Sequence, residues 1–245
     1  MKYALVTGAG SGIGRATALA LMHAGWHVTL VGRREDALQE TAALYDGGAT
    51  VLAGDITQPQ MVEDIFAAHQ AQHGRLDLLF NNAGRGTAAV PIDELAVDDL
   101  LDTIAVNLTG SILCARAAFA LMRRQTPQGG RIINNGSISA TAPRPHSIPY
   151  TTTKHAISGL TKCLALDGRA YGIAAGQIDI GNAVTELTAR MVGGVLQADG
   201  RLAPEARMDV AHAAAAVLHM ASLPPEANVL FMTVMATAMP FVGRG

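Results

Sequence analysis

The chain has 245 residues, 49% of them hydrophobic, and a formal net charge of −2 at pH 7. That length and apolar content suit one large α/β domain over 1–245, since such folds run to about 250 residues without splitting. Lysines and arginines are scattered rather than clustered, which argues against a nucleic-acid face and leaves a small molecule as the expected partner. The two cysteines, Cys114 and Cys163, lack metal-ligand spacing and read as free thiols of a reducing compartment. The apolar run at the N-terminus is too short for a signal peptide, and no stretch approaches the ~18 apolar residues of a membrane span. A cytoplasmic location without a membrane partner is expected.

Short apolar runs alternate with longer helical patterns from end to end, the mark of βαβ units and a parallel sheet. Strands are predicted over 3–6, 27–31, 50–53, 76–80, 131–135, 175–180 and 228–234, and helices over 13–24, 34–44, 60–73, 98–124, 150–171 and 204–222. The implied fold is a doubly wound, Rossmann-type α/β fold, a seven-stranded and mostly parallel sheet flanked by helices. In the 98–124 helix, residues such as Leu101, Ile104, Leu108, Ile112 and Phe119 spread apolar surface over several faces. A helix covered on one side by its sheet has no need of that. A homo-oligomer interface is the preferred reading; burial under a neighbouring loop is the other.

After the first strand comes Thr7-Gly8-Ala9-Gly10-Ser11-Gly12-Ile13-Gly14, opening a helix. Such a turn aims backbone N–H groups and a positive dipole end at a pyrophosphate, and its glycines let backbone approach ligand. After the second strand, Gly32-Arg33-Arg34 stands where an acidic residue would select the ribose hydroxyl of NAD. Room and positive charge at Arg33 and Arg34 favour the 2′-phosphate of NADP(H), with NAD(H) as the lesser cofactor.

Tyr150 and Lys154 are four residues apart, which places both on one helix face. A phenol ordinarily releases its proton near pH ~10, so acid/base work near neutrality needs a neighbouring positive charge, and Lys154 supplies one. Ser137 lies upstream as a third member.

Together these residues resemble the short-chain dehydrogenase/reductase family over nearly the whole chain. Gly8, Ser11, Gly12, Ile13 and Gly14 resemble its cofactor turn, Asp55 and Ile56 its adenine contact, and Asn82, Ala83 and Gly84 the segment after its fourth strand. The resemblance makes Asn107, Ser137, Tyr150 and Lys154 a catalytic tetrad. It implies an NADP(H)-dependent oxidoreductase that interconverts a carbonyl and a secondary alcohol, working as a homotetramer. Tyr150 would exchange a proton with the substrate oxygen and Ser137 would hold that oxygen. Lys154 would support the tyrosine and hold the nicotinamide ribose, while Asn107 would hold a water linking the lysine to solvent. Ser139 is a rival to Ser137.

Two departures stand out. Ile180 replaces the proline expected before Gly181, and Asp179 stands where a small residue is usual, although Thr185 keeps its spacing as a cofactor contact. Asp179 either approaches Lys154 or the substrate, or hydrogen-bonds nearby backbone N–H groups. The family's C-terminal Asp-Gly-Gly pattern is also missing, and the apolar tail 239–245 is expected to pack on another subunit. Substrate selection is expected in 141–149 and in a mobile lid over 183–202 that includes Met191, Gly193 and Gly194, with His146 either reaching the substrate or lying exposed. A non-catalytic NADP(H)-binding redox sensor is the alternative function, since fold does not fix function.

Overall fold

The computed structural model describes residues 1–189 and 193–242. Its strands are β1 Lys2–Thr7, β2 Trp26–Gly32, β3 Ala49–Ala53, β4 Leu78–Asn81, β5 Gly130–Asn135, β6 Ile173–Gly181, β7 Val195–Leu196, β8 Leu202–Ala203 and β9 Phe231–Met235. The helices are α1 Gly12–His23, α2 Glu35–Ala43, α3 Pro59–His73, α4 Val97–Ile104, α5 Ser111–Arg124, α6 Ile148–Asp167, α7 Glu186–Ala189 and α8 Val210–Ser222. Seven strands form one parallel sheet in the order β3-β2-β1-β4-β5-β6-β9, while β7 and β8 make a separate antiparallel hairpin. Strand order reverses between β1 and β4, which opens a crevice at their carboxyl ends.

The central strands are apolar on both faces because helices cover both. Side chains alternate along a strand, so neighbours serve opposite cores. Ala4, Val6, Leu78, Phe80 and Ile133 pack with Leu21 and Met22 of α1 and Val217 and Met220 of α8. Leu5, Leu79 and Ile132 pack with Ile65 and Phe66 of α3 and Ala118, Leu121 and Met122 of α5. Each such large side chain, fully buried, contributes roughly 1.5–3 kcal/mol. Local signals set several helix ends: α3 has Pro59 in its first turn and ends at Gly74, with φ 74°, while Asp209 caps α8 by accepting from the Ala211 N–H at 2.8 Å.

Boundaries move where remote partners intervene. The strand expected from 76 begins at Leu78, because the Gln125 side chain pairs with both the N–H and the C=O of Leu76. The last strand begins at Phe231 rather than 228, since Asn228 is turned toward Arg131 and the Ala175 carbonyl. The helix expected from 204 starts at Val210, because the Met208 N–H donates to the Asn182 carbonyl and holds that segment extended. The 150–171 helix closes at Asp167 and is followed by a 3₁₀ turn, Arg169–Tyr171.

The 98–124 helix is two α-helices joined by a wider π-helical turn, Ala105–Gly110. Within this 28-residue run an 18-residue window reaches mean hydropathy 1.6, long and apolar enough by composition to cross a membrane, which the sequence reading did not anticipate. Its α5 half buries Cys114, Ala115, Ala118, Leu121 and Met122, and most of these pack against the sheet and α3.

Candidate active site

The amino end of α1 meets the crevice between β1 and β4. Gly8 and Gly12 take φ values of 67° and 52°, and a side chain on Gly14 would collide with the Gly8 carbonyl and the Asn82 amide. Ser11 caps α1 by position but its side chain makes no capping bond, so the first-turn N–H groups stay available to an anion. Thr7 Oγ1 accepts from the N–H groups of Asn82 and Ala83, both at 2.9 Å, and Asn82 Nδ2 donates to the Thr7 carbonyl at 2.9 Å. These bonds bind the 82–84 loop to the glycine turn.

The crevice is a cavity of about 940 Å³. Gly8, Ser11, Gly12, Ile13, Arg33, Asp55, Ile56, Asn82, Ala83, Gly84, Ser137, Tyr150, Lys154 and Thr185 all line it. Three expected residues do not. Gly14 is buried behind Gly8, and Arg34 is exposed at the start of α2. Asn107 is buried within the π turn, where its side chain accepts from the Arg85 N–H at 2.8 Å and donates to the Arg85 carbonyl at 2.9 Å.

On the opposite wall, α6 presents Tyr150 and Lys154 on one face, with Lys154 Nζ 5.6 Å from the phenol ring centre. Lys154 Nζ donates to the Asn135 carbonyl at 2.7 Å, which draws the ammonium toward the end of β5. Ser137 Oγ accepts from the Ser139 N–H at 3.1 Å, leaving its own O–H to donate. Ser139 and His146 also line the cavity, His146 with a left-handed φ of 55°. Asp55 accepts from the N–H and hydroxyl of Thr57, both at 2.9 Å, which fixes its carboxylate at the cavity wall.

Asp179 combines its two expected arrangements, since it accepts a backbone N–H and also feels the charge of Lys154. It lies outside the cavity lining, 7% exposed, and its Oδ1 accepts from the Ser137 N–H at 2.8 Å and Gln177 Nε2 at 2.7 Å. Burial pushes its pKa above the ordinary carboxylate value, opposed by those two bonds and by the charge of Lys154.

Of the segment expected to act as a lid, α7 and the β7–β8 hairpin are described, and Thr188, Val195, Leu196 and Leu202 line the cavity. Met191 and the tail residues 243–245 lie outside the described residues. Within the 141–149 segment the sequence reading did not single out Arg144, which lines the cavity and whose guanidinium joins Glu205 and Asn182. No local signal marks that triad, because Arg144 and Glu205 are 61 residues apart.

The free donors of α1, the glycine turn and the Arg33 charge at the far end of the same cavity fit the phosphates of a dinucleotide. A short chain dehydrogenase family model matches residues 2–193. A 3beta-hydroxysteroid dehydrogenase from Mediterraneibacter gnavus is 37% identical over 192 residues, 77% of this chain and 68% of that protein. Among solved structures, a closed form of serine dehydrogenase complexed with NADP+ superimposes with a TM-score of 0.87 at 25% identity, covering 98% of this chain and 97% of the other. A 3-ketoacyl-(acyl-carrier-protein) reductase from Brucella melitensis complexed with NADH has a TM-score of 0.85 at 24% identity, with 96% of each chain covered. The chain therefore belongs to the short-chain dehydrogenase/reductase family and is an oxidoreductase enzyme.

Proposed function

We propose that this enzyme interconverts a carbonyl and a secondary alcohol with a nicotinamide dinucleotide, preferring NADP(H). The observation that carries the reading is the convergence of Ser137, Tyr150 and Lys154 on one wall of the cavity whose other wall is the glycine turn. When bound, the nicotinamide supplies or accepts the hydride. Tyr150 passes a proton to or from the substrate oxygen, and the Ser137 hydroxyl donates a hydrogen bond to it. The Lys154 ammonium favours the phenolate that this exchange creates. Asn107 acts by shaping the wall, since its side-chain amide is committed to the Arg85 backbone. The preference for NADP(H) rests on Gly32 and Arg33 at the cavity margin, where Arg33 has no ion pair among the described residues.

A homo-oligomer, on the family's tetrameric pattern, is supported by Leu101, Ile112, Ile148 and Leu166, exposed on α4, α5 and α6 at 43–61%. A monomer mass by light scattering at micromolar concentration would refute it. The two unpaired cysteines suit the cytoplasm. The central experiment is a screen of carbonyl compounds and secondary alcohols with NADPH and NADH, followed at the nicotinamide absorbance. Turnover, faster with the phosphorylated cofactor, is expected; tight cofactor binding with no turnover across the panel would favour the sensor.

A further inference from the structure

Asp179 is a carboxylate buried at the carboxyl end of β6, where a charge is costly unless hydrogen bonds satisfy it. The chain around it is arranged to admit it. Gly136 leaves its space, since a Cβ there would run into Asp179 Oδ1. Gln177 donates to the same oxygen, donates to Ser158 Oγ at 3.0 Å, and accepts from Thr161 Oγ1 at 3.2 Å. Thr161 in turn accepts from Asn134 Nδ2 at 2.9 Å, and Asn134 accepts from Asn81 Nδ2 at 3.2 Å. Asn81 Nδ2 also reaches the Ser111 carbonyl, and Ser111 Oγ donates to the carbonyl of Asn107 at 3.0 Å. A buried polar belt thus runs beneath β6, β5 and β4 from Ser137 to Asn107.

We propose that Asp179 is a positioning residue for Ser137, clamping the Ser137 backbone N–H so that the serine hydroxyl is aimed at the substrate oxygen. The proposal rests on the oxidoreductase reading above. Because Ser137 Oγ already accepts from Ser139, its remaining proton is the donor for the substrate, and its direction follows the peptide between Gly136 and Ser137. The carboxylate holds that peptide from below, with Ser137 extended at φ −170° and ψ 154°.

The test compares Asp179→Ala, Asp179→Asn, Gly136→Ala and the Gly136→Ala/Asp179→Ala pair with wild type, using the substrate found in the screen. Asp179→Ala should lower kcat roughly 10- to 100-fold, in the range of losing one donor to a developing oxyanion, while substrate KM and cofactor Kd stay within about twofold. Asp179→Asn keeps an acceptor and should recover most of kcat. Gly136→Ala displaces the carboxylate without removing it and should reproduce the loss; it also carries the comparison if Asp179→Ala does not fold. The double variant should be no worse than the worse single one, as expected for residues acting as a unit. Wild-type kcat in Asp179→Ala, or a loss shared equally by kcat, cofactor binding and melting temperature, overturns the proposal. Tyr150→Phe separates the two readings. An inactive Tyr150→Phe beside a fully active Asp179→Ala sinks the clamp alone. Activity that survives Tyr150→Phe sinks the acid/base assignment, and the ratio of Asp179→Ala to wild type still decides the clamp.

Discussion

Three histidines crowd the amino end of the central sheet, and a serine, a tyrosine and a lysine crowd its carboxyl end. At the amino end, the ring of Tyr3 stacks on His73 at 4.9 Å, and His73 lies 4.5 Å from His27 and 4.9 Å from His69. His69 is fully buried between the Thr29 hydroxyl at 2.7 Å and the Arg75 carbonyl at 3.0 Å. Burial pushes its pKa down to about 4, with His73 and His27 adding to the shift and the Arg75 carbonyl opposing it. The carboxyl terminus of α3 favours a cation there by only ~0.3–1 kcal/mol, so desolvation wins. At the carboxyl end the same sheet meets the amino terminus of α1, glycine loops and a cavity. Because the seven strands are parallel, every βα loop lies at that edge, so ligand-seeking dipoles gather at one end while the histidine rings pack together at the other. Titratable side chains line a cavity at one edge and pack against one another at the opposite one.

The largest expected effect breaks the carboxyl end alone. Tyr150→Phe should lower kcat by roughly 10²–10⁴-fold, the usual worth of a positioned acid/base group, with NADPH affinity and melting temperature unchanged. Substantial residual turnover would move the proton transfer elsewhere.

The next effect belongs to the amino end. The folded chain holds His69 neutral down to about pH 4, whereas the unfolded chain takes up a proton near ~6.5. Stability from this residue is therefore complete above about pH 6.5 and is lost as pH falls toward 4, by up to about 3 kcal/mol. His27 and His73, both with lowered pKa, steepen the loss in the same direction. Urea melts at pH 7 and pH 5 should show it, and His69→Gln should flatten the slope while leaving kcat/KM at neutral pH unchanged. An unaltered slope would remove His69 as its source.

Arg33→Ala is expected to cut the preference for NADPH over NADH about tenfold, the lower range for a hydrogen bond to a charged group. If wild type binds NADH as tightly as NADPH, the assignment of Arg33 fails. The smallest effect is that of Thr50→Val, which removes the hydroxyl bridging His27 at 2.9 Å and His73 at 3.3 Å. A cost of about 1 kcal/mol in stability is expected, with unchanged kinetics.

The strands, most helices and the cofactor turn were legible along the chain because their causes are local. Alternation places Leu5 and Val6 on opposite cores, a four-residue step puts Tyr150 and Lys154 on one face, and glycines at 8 and 12 announce left-handed turns. What the linear order hid depends on partners brought together only by folding. Asn107 and Arg34 match their motifs yet stay out of the cavity lining, one tied to Arg85 and the other left in solvent. Asp179 could be given a purpose only when Ser137, 42 residues away, was seen against its carboxylate, and Arg144 only when Glu205 closed over it. The π turn at Asn107 and the late start of α8 have the same origin. Helical periodicity and turn chemistry act over a few residues, whereas a buried charge is defined by whichever distant groups satisfy it.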